Sequence, residues 1–408
     1  MARPSPLVGL DIGTTKVCAV VAQAEAGDRL QLLGAGTAPS AGLRRGVVAD
    51  LRAATEAVGR AVERAEKAAG REIRSVYVAV SGDHVTGQNT RGVVAVSSPD
   101  REISSADVAR ALEAARMSAV PAPDREVLHV LPRHFVVDGT DGVRNPVGMY
   151  GVRLEVEAHV VTGASTQVAN LVKCVEQAGL EVEGLVLGVL ASAEAVLSGA
   201  ERELGVAVCE VGGGITSLGI FQGGALCHTA VVPVAGQHIT NDLAVGLRTS
   251  VEEAERVKVH SGAAAARMAA EREFLEVTEI GAQTPKVIPR RVVCEIIEAR
   301  VEELLDLVRT QLERWGPVAQ LPAGVVLTGG STLLPGLVEM ASERWGLPVR
   351  VGHPRGILGP VAAVSGPAYA TAVGLLLYAH HQVVERARGR DGAARGIWQR
   401  LRTWLVGE

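Results

Sequence analysis

Two similar stretches decide the fold of this 408-residue chain. The first is Gly9-Leu-Asp-Ile-Gly-Thr-Thr-Lys16, in which a short apolar strand meets a glycine turn and a second apolar strand follows. The other is Glu210-Val-Gly-Gly-Gly-Ile-Thr216, which joins strands predicted at 205–211 and 215–221. The recurrence of one strand–turn–strand layout about 200 residues further on predicts a duplicated α/β unit.

Both turns have the chemistry of a triphosphate site. Backbone N–H groups of a glycine turn approach phosphate oxygens without steric cost, and hydroxyls and a lysine add further donors. A third turn of this kind, Thr328-Gly-Gly-Ser331, follows a strand predicted at 324–328. A plain β-hairpin explains a single such turn equally well, but three related turns favour a nucleotide. Neither GxxxxGK[ST] nor a helix-opening GxGxxG is present, so P-loop and Rossmann sites are not indicated.

The composition excludes several classes of protein. The net charge is −4 and aromatic residues make up 3%, which argues against a nucleic-acid partner. Hydrophobic residues make up 47%, so a large core is expected. The five cysteines form no CxxC pair, which argues against zinc and for a reducing compartment. No apolar run reaches about 18 residues and no signal-peptide core precedes the first strand, so a cytoplasmic chain without a spanning helix is predicted.

The three turns together resemble the actin-like ATPase superfamily. Residues 9–16 and 210–216 resemble its two phosphate loops, and residues 325–331 resemble its adenosine loop. Other stretches resemble one member of the superfamily, the bacterial cell-division family FtsA. They are Ser81-Gly82, His129-Val-Leu-Pro132, Asn145-Pro-Val-Gly148, Gly223-Gly-Ala-Leu-Cys-His-Thr229 and Ala372-Val-Gly-Leu-Leu376. The resemblance covers about residues 7 to 405, and the segment 83–162 and the C-terminal tail carry its specificity.

This resemblance implies an α/β, actin-like (ribonuclease H-like) fold with two duplicated lobes and a small α+β insertion subdomain in the first lobe. The implied parts are a first-lobe core (1–82, 163–203 and 360–384), an SHS2-like insertion (83–162), a second-lobe core (204–240 and 320–359), a second-lobe subdomain (241–319), a flexible linker (385–395) and an amphipathic membrane-targeting helix (396–408).

The resemblance also implies ATP and Mg²⁺ in the cleft between the lobes. The implied nucleotide contacts are Asp11, Gly13, Thr14, Thr15, Lys16, Gly212, Gly213, Gly214, Thr216, Gly236, Glu255, Lys258, Gly329, Gly330 and Ser331. Asp11 would hold Mg²⁺ through water. The pair Glu255 and Lys258 resembles the helix beside the ribose in related filament proteins, although a solvated charged helix face explains it equally simply.

The second phosphate loop departs from the family pattern. Glu210 stands where the family usually has Asp, and Ser217 stands where an acid is common. Glu reaches one methylene further than Asp, and in-line phosphoryl transfer tolerates little displacement. Asp11 and Glu210 are therefore expected near the metal and phosphates, no catalytic base is assigned, and hydrolysis is expected to be slow or absent.

The tail, 396–408, reads Gly-Ile-Trp-Gln-Arg-Leu-Arg-Thr-Trp-Leu-Val-Gly-Glu. On a helix its apolar residues share one side and its arginines lie towards the other, which is typical of helices that lie on anionic membranes. The predicted membrane contacts are Ile397, Trp398, Arg400, Leu401, Arg402, Trp404 and Leu405. A helix docked on its own domain is the alternative.

The resemblance further implies a partner, the C-terminal peptide of the tubulin-like protein FtsZ. It places the peptide on the helix near 290–314, where basic residues would pair with acids and leucines would take apolar residues, unless those leucines are ordinary core. The residues concerned are Arg290, Arg291, Arg300, Leu304 and Leu307.

The function implied is a peripheral protein of the cytoplasmic membrane face at the division septum. It would polymerise, tether FtsZ filaments to the membrane and recruit later division proteins. Two alternatives stay open. A small-molecule kinase of the superfamily needs a catalytic acid, for which the sequence has no clear candidate, and a pilus-assembly actin homologue would lack the tail.

Overall fold

The computed structural model describes residues 6–25, 29–119, 122–316 and 321–391, with side chains described up to residue 384. The strands in these ranges are β1 (Leu7–Ile12), β2 (Lys16–Glu25), β3 (Arg29–Pro39), β4 (Leu43–Arg44), β5 (Val47–Val48), β6 (Ser75–Val80), β7 (Thr86–Ala95), β8 (Arg125–Val137), β9 (Thr140–Val143), β10 (Arg153–Ala164), β11 (Glu181–Leu187), β12 (Val206–Val211), β13 (Thr216–Gln222), β14 (Ala225–Val232), β15 (Phe274–Val277), β16 (Lys286–Pro289), β17 (Val325–Thr328), β18 (Val349–Val351) and β19 (Ile357–Leu358). The α-helices are α1 (Leu51–Ala69), α2 (Ser105–Ser118), α3 (Ser165–Gln177), α4 (Gly188–Val196), α5 (Gly199–Leu204), α6 (Gly236–Leu247), α7 (Val251–Ser261), α8 (Arg290–Trp315), α9 (Leu337–Trp345) and α10 (Ala370–Asp391).

Two sheets repeat one topology. The first has the order β11-β6-β1-β2-β3-β19, and the second has the order β14-β13-β12-β17-β18. In each, three antiparallel strands joined in sequence are followed by two parallel strands on the side of the first strand. The predicted duplication is therefore confirmed, and each lobe has one hairpin whose turn lies at the same place in its sheet.

Small residues let helix α1 lie close against the first sheet. Asp50 caps the helix by accepting the Ala53 N–H at 3.0 Å, and Gly70 ends it in the left-handed conformation. A Cβ on Gly36 of β3 would overlap the Ala61 carbonyl of the helix. Alanine and valine side chains make up most of the core around this helix and sheet.

The insertion is a four-stranded sheet, in the order β7-β10-β8-β9, with α2 packed on one face. Ser104 and Asp107 form a capping box at the start of α2. The insertion also contacts β14 of the second lobe: the Asn89 side-chain amide donates to the Cys227 carbonyl at 3.2 Å, and His159 Nε2 lies 3.0 Å from the Thr229 hydroxyl. The insertion thus contacts the second lobe as well as the first-lobe core that carries it.

Helix α10 extends into the segment predicted to be a flexible linker. It continues to Asp391, so the prediction of a flexible linker is wrong for 385–391. Arginine, alanine and glutamate outnumber the single glycine there, and all three favour helix. Residues 392–395 and the tail lie outside the described residues. Within the described ranges, no helix is long and apolar enough to cross a bilayer.

A buried histidine makes the fold sensitive to acid. His129 Nε2 accepts the Leu187 N–H at 2.9 Å, and burial lowers the pKa of His129 to about 4 from its ordinary 6.5. As the pH falls, His129 is protonated in the unfolded chain near pH 6.5 but in the folded protein only near pH 4. Protonation therefore favours the unfolded chain, and the folded protein loses stability as the pH falls from 6.5 towards 4. The loss amounts to about 3 kcal/mol at most.

We predict that His129→Gln flattens the pH dependence of urea unfolding between pH 7 and pH 4.5. Glutamine keeps an acceptor for the Leu187 N–H but does not titrate. The free energy of unfolding of the variant is expected to fall less over this interval than that of the wild type. If the free energy of unfolding fell equally with pH in the two proteins, His129 would not be the group responsible.

Candidate functional site

The glycine turns of the two lobes face each other and touch. Each closes with the same hydrogen bond: the Gly13 N–H donates to the Lys16 carbonyl at 3.0 Å, and the Gly212 N–H donates to the Ile215 carbonyl at 3.1 Å. A Cβ on Gly213 would lie 2.5 Å from Thr15 Cγ2. A Cβ on Gly214 would lie 2.5 Å from Thr14 Oγ1. The structure therefore brings the two predicted phosphate loops together through glycine–threonine contacts.

The third glycine turn (328–331) and the start of α6 hold the second glycine turn (212–215) in place. The Ser331 hydroxyl donates to the Gly212 carbonyl at 2.7 Å, and the Gly236 N–H donates to the same oxygen at 3.1 Å. The next backbone N–H, that of Gln237, donates to the Gly213 carbonyl at 2.7 Å. With its carbonyls engaged in this way, the second turn has a fixed backbone.

Two acids occupy equivalent positions, each two residues before its turn. Burial raises the pKa of Asp11 to about 6, and the positive charge of Lys16 offsets part of this effect. Burial, followed by the negative charge of Asp11, raises the pKa of Glu210 to about 7. The Thr371 hydroxyl donates to Glu210 Oε1 and favours its ionised form. Two neighbouring carboxylates that are costly to ionise are suited to a divalent cation, so the residues fit the implied Mg²⁺.

The predicted ribose pair lies beside the second turn. Lys258 Nζ donates to Glu255 Oε2 at 2.6 Å, to the Thr240 hydroxyl at 2.8 Å and to the Gly236 carbonyl at 3.2 Å. The Lys258 side chain is only 15% exposed, whereas that of Glu255 is 50% exposed. Because Lys258 ties α7 to the first turn of α6, the alternative of a simple solvated helix face does not describe it.

Two predicted nucleotide contacts, Thr216 and Lys16, have hydrogen-bond partners within the protein. Thr216 is fully buried and its hydroxyl donates to the Val234 carbonyl at 2.8 Å, so its prediction as a contact is wrong. Lys16 begins β2 beside the first turn, but its ammonium donates to the Ala368 carbonyl at 2.6 Å. The sequence analysis missed Ala368, Thr371 and Gln237, because no spacing in the sequence relates them to the turns.

The predicted peptide surface on α8 is largely closed. Leu304 is 3% exposed and belongs to the second-lobe core, so it is not part of a peptide surface, whereas Leu307 is half-buried against that core. Arg300 pairs with Asp242 through two hydrogen bonds of 2.5 and 3.0 Å. The remaining two arginines are also paired, Arg290 with Glu273 at 2.6 Å and Arg291 with Glu295 at 3.0 Å. The prediction is wrong for Leu304, because that face of α8 points into the second-lobe core.

A cavity of about 460 Å³ lies next to this helix, between the end of α6 and the β15–β16 hairpin. Its lining combines apolar side chains with two basic residues and one acidic residue. The lining residues are Gly246, Leu247, Arg248, Val277, Glu279, Lys286, Ile288, Pro289 and Val292. The hairpin side chain Val287 is exposed nearby. We call this surface the hairpin groove.

Comparison with known proteins identifies the family. The model "Cell division protein FtsA" matches residues 207–374, and the model "SHS2 domain inserted in FTSA" matches residues 82–162. A cell division protein FtsA of Pseudomonas aeruginosa is 41% identical over 409 residues, which cover 98% of this chain and 97% of the relative. The chain belongs to the FtsA family. Other FtsA relatives include that of Bacillus subtilis, at 42% over 91% of this chain and 83% of its own length, and that of Escherichia coli K12, at 38% over 98% and 97%.

Solved structures support the same fold at low identity. The PilM–PilN type IV pilus biogenesis complex matches with a TM-score of 0.66 at 18% identity, covering 91% of this chain and 98% of that chain. MreB5 of Spiroplasma citri bound to AMPPNP matches with a TM-score of 0.58 at 15% identity, covering 95% and 100%. The predicted actin-like fold is confirmed, and membership of the FtsA family favours this family over the kinase and pilus alternatives.

We predict that Gly214→Ala destabilises this FtsA family member by about 1–3 kcal/mol, because the added methyl group overlaps Thr14. Removing that side chain in the double variant Gly214→Ala/Thr14→Ala is expected to restore part of the loss. The measurement is urea unfolding of the single and double variants. A matched control is Gly59→Ala, which meets nothing within 4 Å on α1 and is expected to stabilise by about 0.5–1 kcal/mol. Absence of any coupling between positions 14 and 214 would contradict the contact.

Proposed function

We propose that this chain binds ATP with Mg²⁺ between the two glycine turns, assembles into filaments, and tethers FtsZ to the cytoplasmic face of the membrane at the division septum. The observation that supports the nucleotide site best is the contact between two duplicated turns of different lobes, each preceded by a partly buried acid. Membership of the FtsA family supports the role in division.

The nucleotide would be held from two sides. The backbone N–H groups of residues 14, 15, 213 and 214 would face the phosphates, because those of Gly13 and Gly212 close the turns. Gly329, Gly330 and Ser331 would lie on the adenosine side, and Glu255 with Lys258 at the ribose. Asp11 and Glu210 would hold Mg²⁺, with Asp11 acting through water. The metal ion would neutralise phosphate charge when bound.

Glu210 is the basis for proposing slow hydrolysis. Its carboxylate is fixed by the Thr371 hydroxyl and lies one methylene further from the backbone than an aspartate would. A displacement of about 1 Å can cost about 100-fold in rate when groups must be aligned. The site would therefore bind ATP firmly but release phosphate slowly.

We predict that Glu210→Asp raises the rate of phosphate release in a single turnover of excess protein with ATP and Mg²⁺. The matched control is Glu63→Asp, the same shortening at an exposed position on α1. Brisk release by the wild type, or a Glu210→Asp rate no higher than that of the control, would overturn the proposal of slow hydrolysis.

A single copy of the C-terminal tail, residues 396–408, would bind the membrane weakly. Burial of Ile397, Trp398, Leu401, Trp404 and Leu405 contributes roughly 8–15 kcal/mol gross. Ordering about 12 residues costs a similar amount. Arginines contribute about 1 kcal/mol each on anionic lipid. Many such helices on one filament would hold firmly through their effective concentration, so assembly and membrane binding would be coupled.

The hairpin groove suits the FtsZ peptide better than the closed face of α8. Ile288 and Val292 offer apolar surface over the buried Val277, and Arg248 and Lys286 offer positive charge for a peptide with acidic residues. Lys286 pairs with Glu279 at 3.0 Å in an exposed position, where a competing carboxylate can replace that partner. We therefore place the peptide in this groove.

The insertion offers a separate surface for later division proteins. Val147, Met149, Tyr150 and Val152 expose apolar side chains within one short segment. Exposed apolar residues concentrated in this way are typical of protein contacts. Contacts of the insertion with both lobes would let such a partner affect their relative position.

We predict that FtsZ sediments with anionic lipid vesicles only when the full chain is present. The Trp398→Ala/Trp404→Ala variant is expected to remove both proteins from the vesicle pellet, because the tail loses most of its buried area. Lys286→Glu is expected to remain with the vesicles and to lose FtsZ.

The matched control for Lys286→Glu is Lys67→Glu. It reverses the charge of a second exposed, ion-paired lysine, which lies on α1 and away from the groove. It is expected to behave like the wild type in both respects. Equal vesicle binding by the tail variant and the wild type would contradict the membrane proposal. Unchanged FtsZ recruitment by Lys286→Glu would contradict the placement of the peptide.

A further inference from the structure

The segment Pro367–Tyr369, a single turn of 3₁₀ helix directly before α10, contacts the candidate nucleotide site from both lobes. The Lys16 ammonium donates to the Ala368 carbonyl at 2.6 Å, and it lies 3.9 Å from the centre of the Tyr369 ring. From the second lobe, the Gly329 N–H donates to the Pro367 carbonyl at 3.1 Å. We call Pro367–Tyr369 the connector segment.

Two more hydrogen bonds surround this segment. The Thr328 hydroxyl donates to the Pro367 carbonyl at 3.2 Å, and the Thr371 hydroxyl, in the first turn of α10, donates to Glu210. Residues 367–371 are therefore contacted from three places: the first glycine turn through Lys16, the third glycine turn (328–331), and Glu210 before the second glycine turn. A change at any of the three elements alters the support of the same five residues.

Lys16 is held there by a carbonyl dipole and an aromatic face. A lysine ammonium has three donors and needs such partners when it is partly buried. The face of the Tyr369 ring attracts the ammonium electrostatically. Phosphate oxygens carry full negative charge and make stronger hydrogen bonds with an ammonium than a neutral carbonyl does. A triphosphate beside the first turn would therefore compete for Lys16.

We propose that Lys16 exchanges partners: it is docked on Ala368 and Tyr369 when the site is empty, and it turns to the phosphates when ATP binds. This inference rests on the proposed ATP site and adds a regulatory step to it. Tyr369 immediately precedes α10, so release of Lys16 removes a contact that holds the start of this helix. The other end of α10 leads to the C-terminal residues. Occupancy of the site is thereby linked to the segment that we propose binds the membrane.

The small number of lysines makes the exchange directly observable. The chain has only five, at positions 16, 67, 173, 258 and 286. Reductive methylation of the full chain with ¹³C-formaldehyde labels each ammonium and preserves its charge. The Lys16 signal, assigned as the one missing from Lys16→Arg, is expected to be shifted upfield by the ring current of Tyr369. Tyr369→Phe is expected to keep this shift and Tyr369→Leu to lose it.

Addition of AMPPNP and Mg²⁺ is expected to remove the ring-current shift of Lys16. In isothermal titration calorimetry, unlabelled Tyr369→Leu is expected to bind AMPPNP about three- to tenfold more tightly than the wild type, because a competing partner is gone. Tyr369→Phe, the matched control, keeps the aromatic face and is expected to bind like the wild type.

The outcomes separate this inference from the proposed function. A Lys16 signal without a ring-current shift in the ligand-free chain would overturn the docking. Calorimetric binding of AMPPNP to the wild type with an unmoved Lys16 signal would overturn the exchange and leave the ATP site standing. A docked Lys16 with no heat of binding would overturn the ATP site and the exchange together.

Discussion

The contact between Gly213 and Gly214 of one lobe and Thr14 and Thr15 of the other is the constraint on which the rest of the site depends. Two hairpins from separate sheets approach so closely only because the second turn carries no Cβ atoms. The turn keeps its shape because Ser331, Gly236 and Gln237 occupy its carbonyls. Duplication of the sheet order then places the two acids near each other without any further device.

The ligand-free site contains charges that are costly to keep. The pKa values of Asp11 and Glu210 are both raised, chiefly by burial, so the ionised pair is unfavourable without a cation. A metal ion and a triphosphate would relieve these costs, the first by neutralising the acids and the second by giving Lys16 a charged partner. Features that weaken the empty protein are thus the ones that favour binding.

Local signals in the sequence predicted much of the fold. The turns at 13–16 and 212–215 lie where the predicted apolar strands end, and the predicted duplication appears in the order of the two sheets. Contacts between distant residues were not predictable from spacing, because Lys16 meets a carbonyl 352 positions away and Glu210 meets a hydroxyl 161 positions away. Strand alternation and helix periodicity also do not reveal which neighbour covers a face, so Thr216 and Leu304 were assigned to surfaces although both are buried.

Closure of the two turns on one ligand is the central claim, and hydrogen–deuterium exchange of the full chain with and without ATP and Mg²⁺ tests it most directly. Peptides that contain 13–16 and 212–215 belong to different lobes, yet both are expected to gain protection at the same ATP concentration. Protection of only one turn, or of neither under conditions where calorimetry detects binding, would contradict the account.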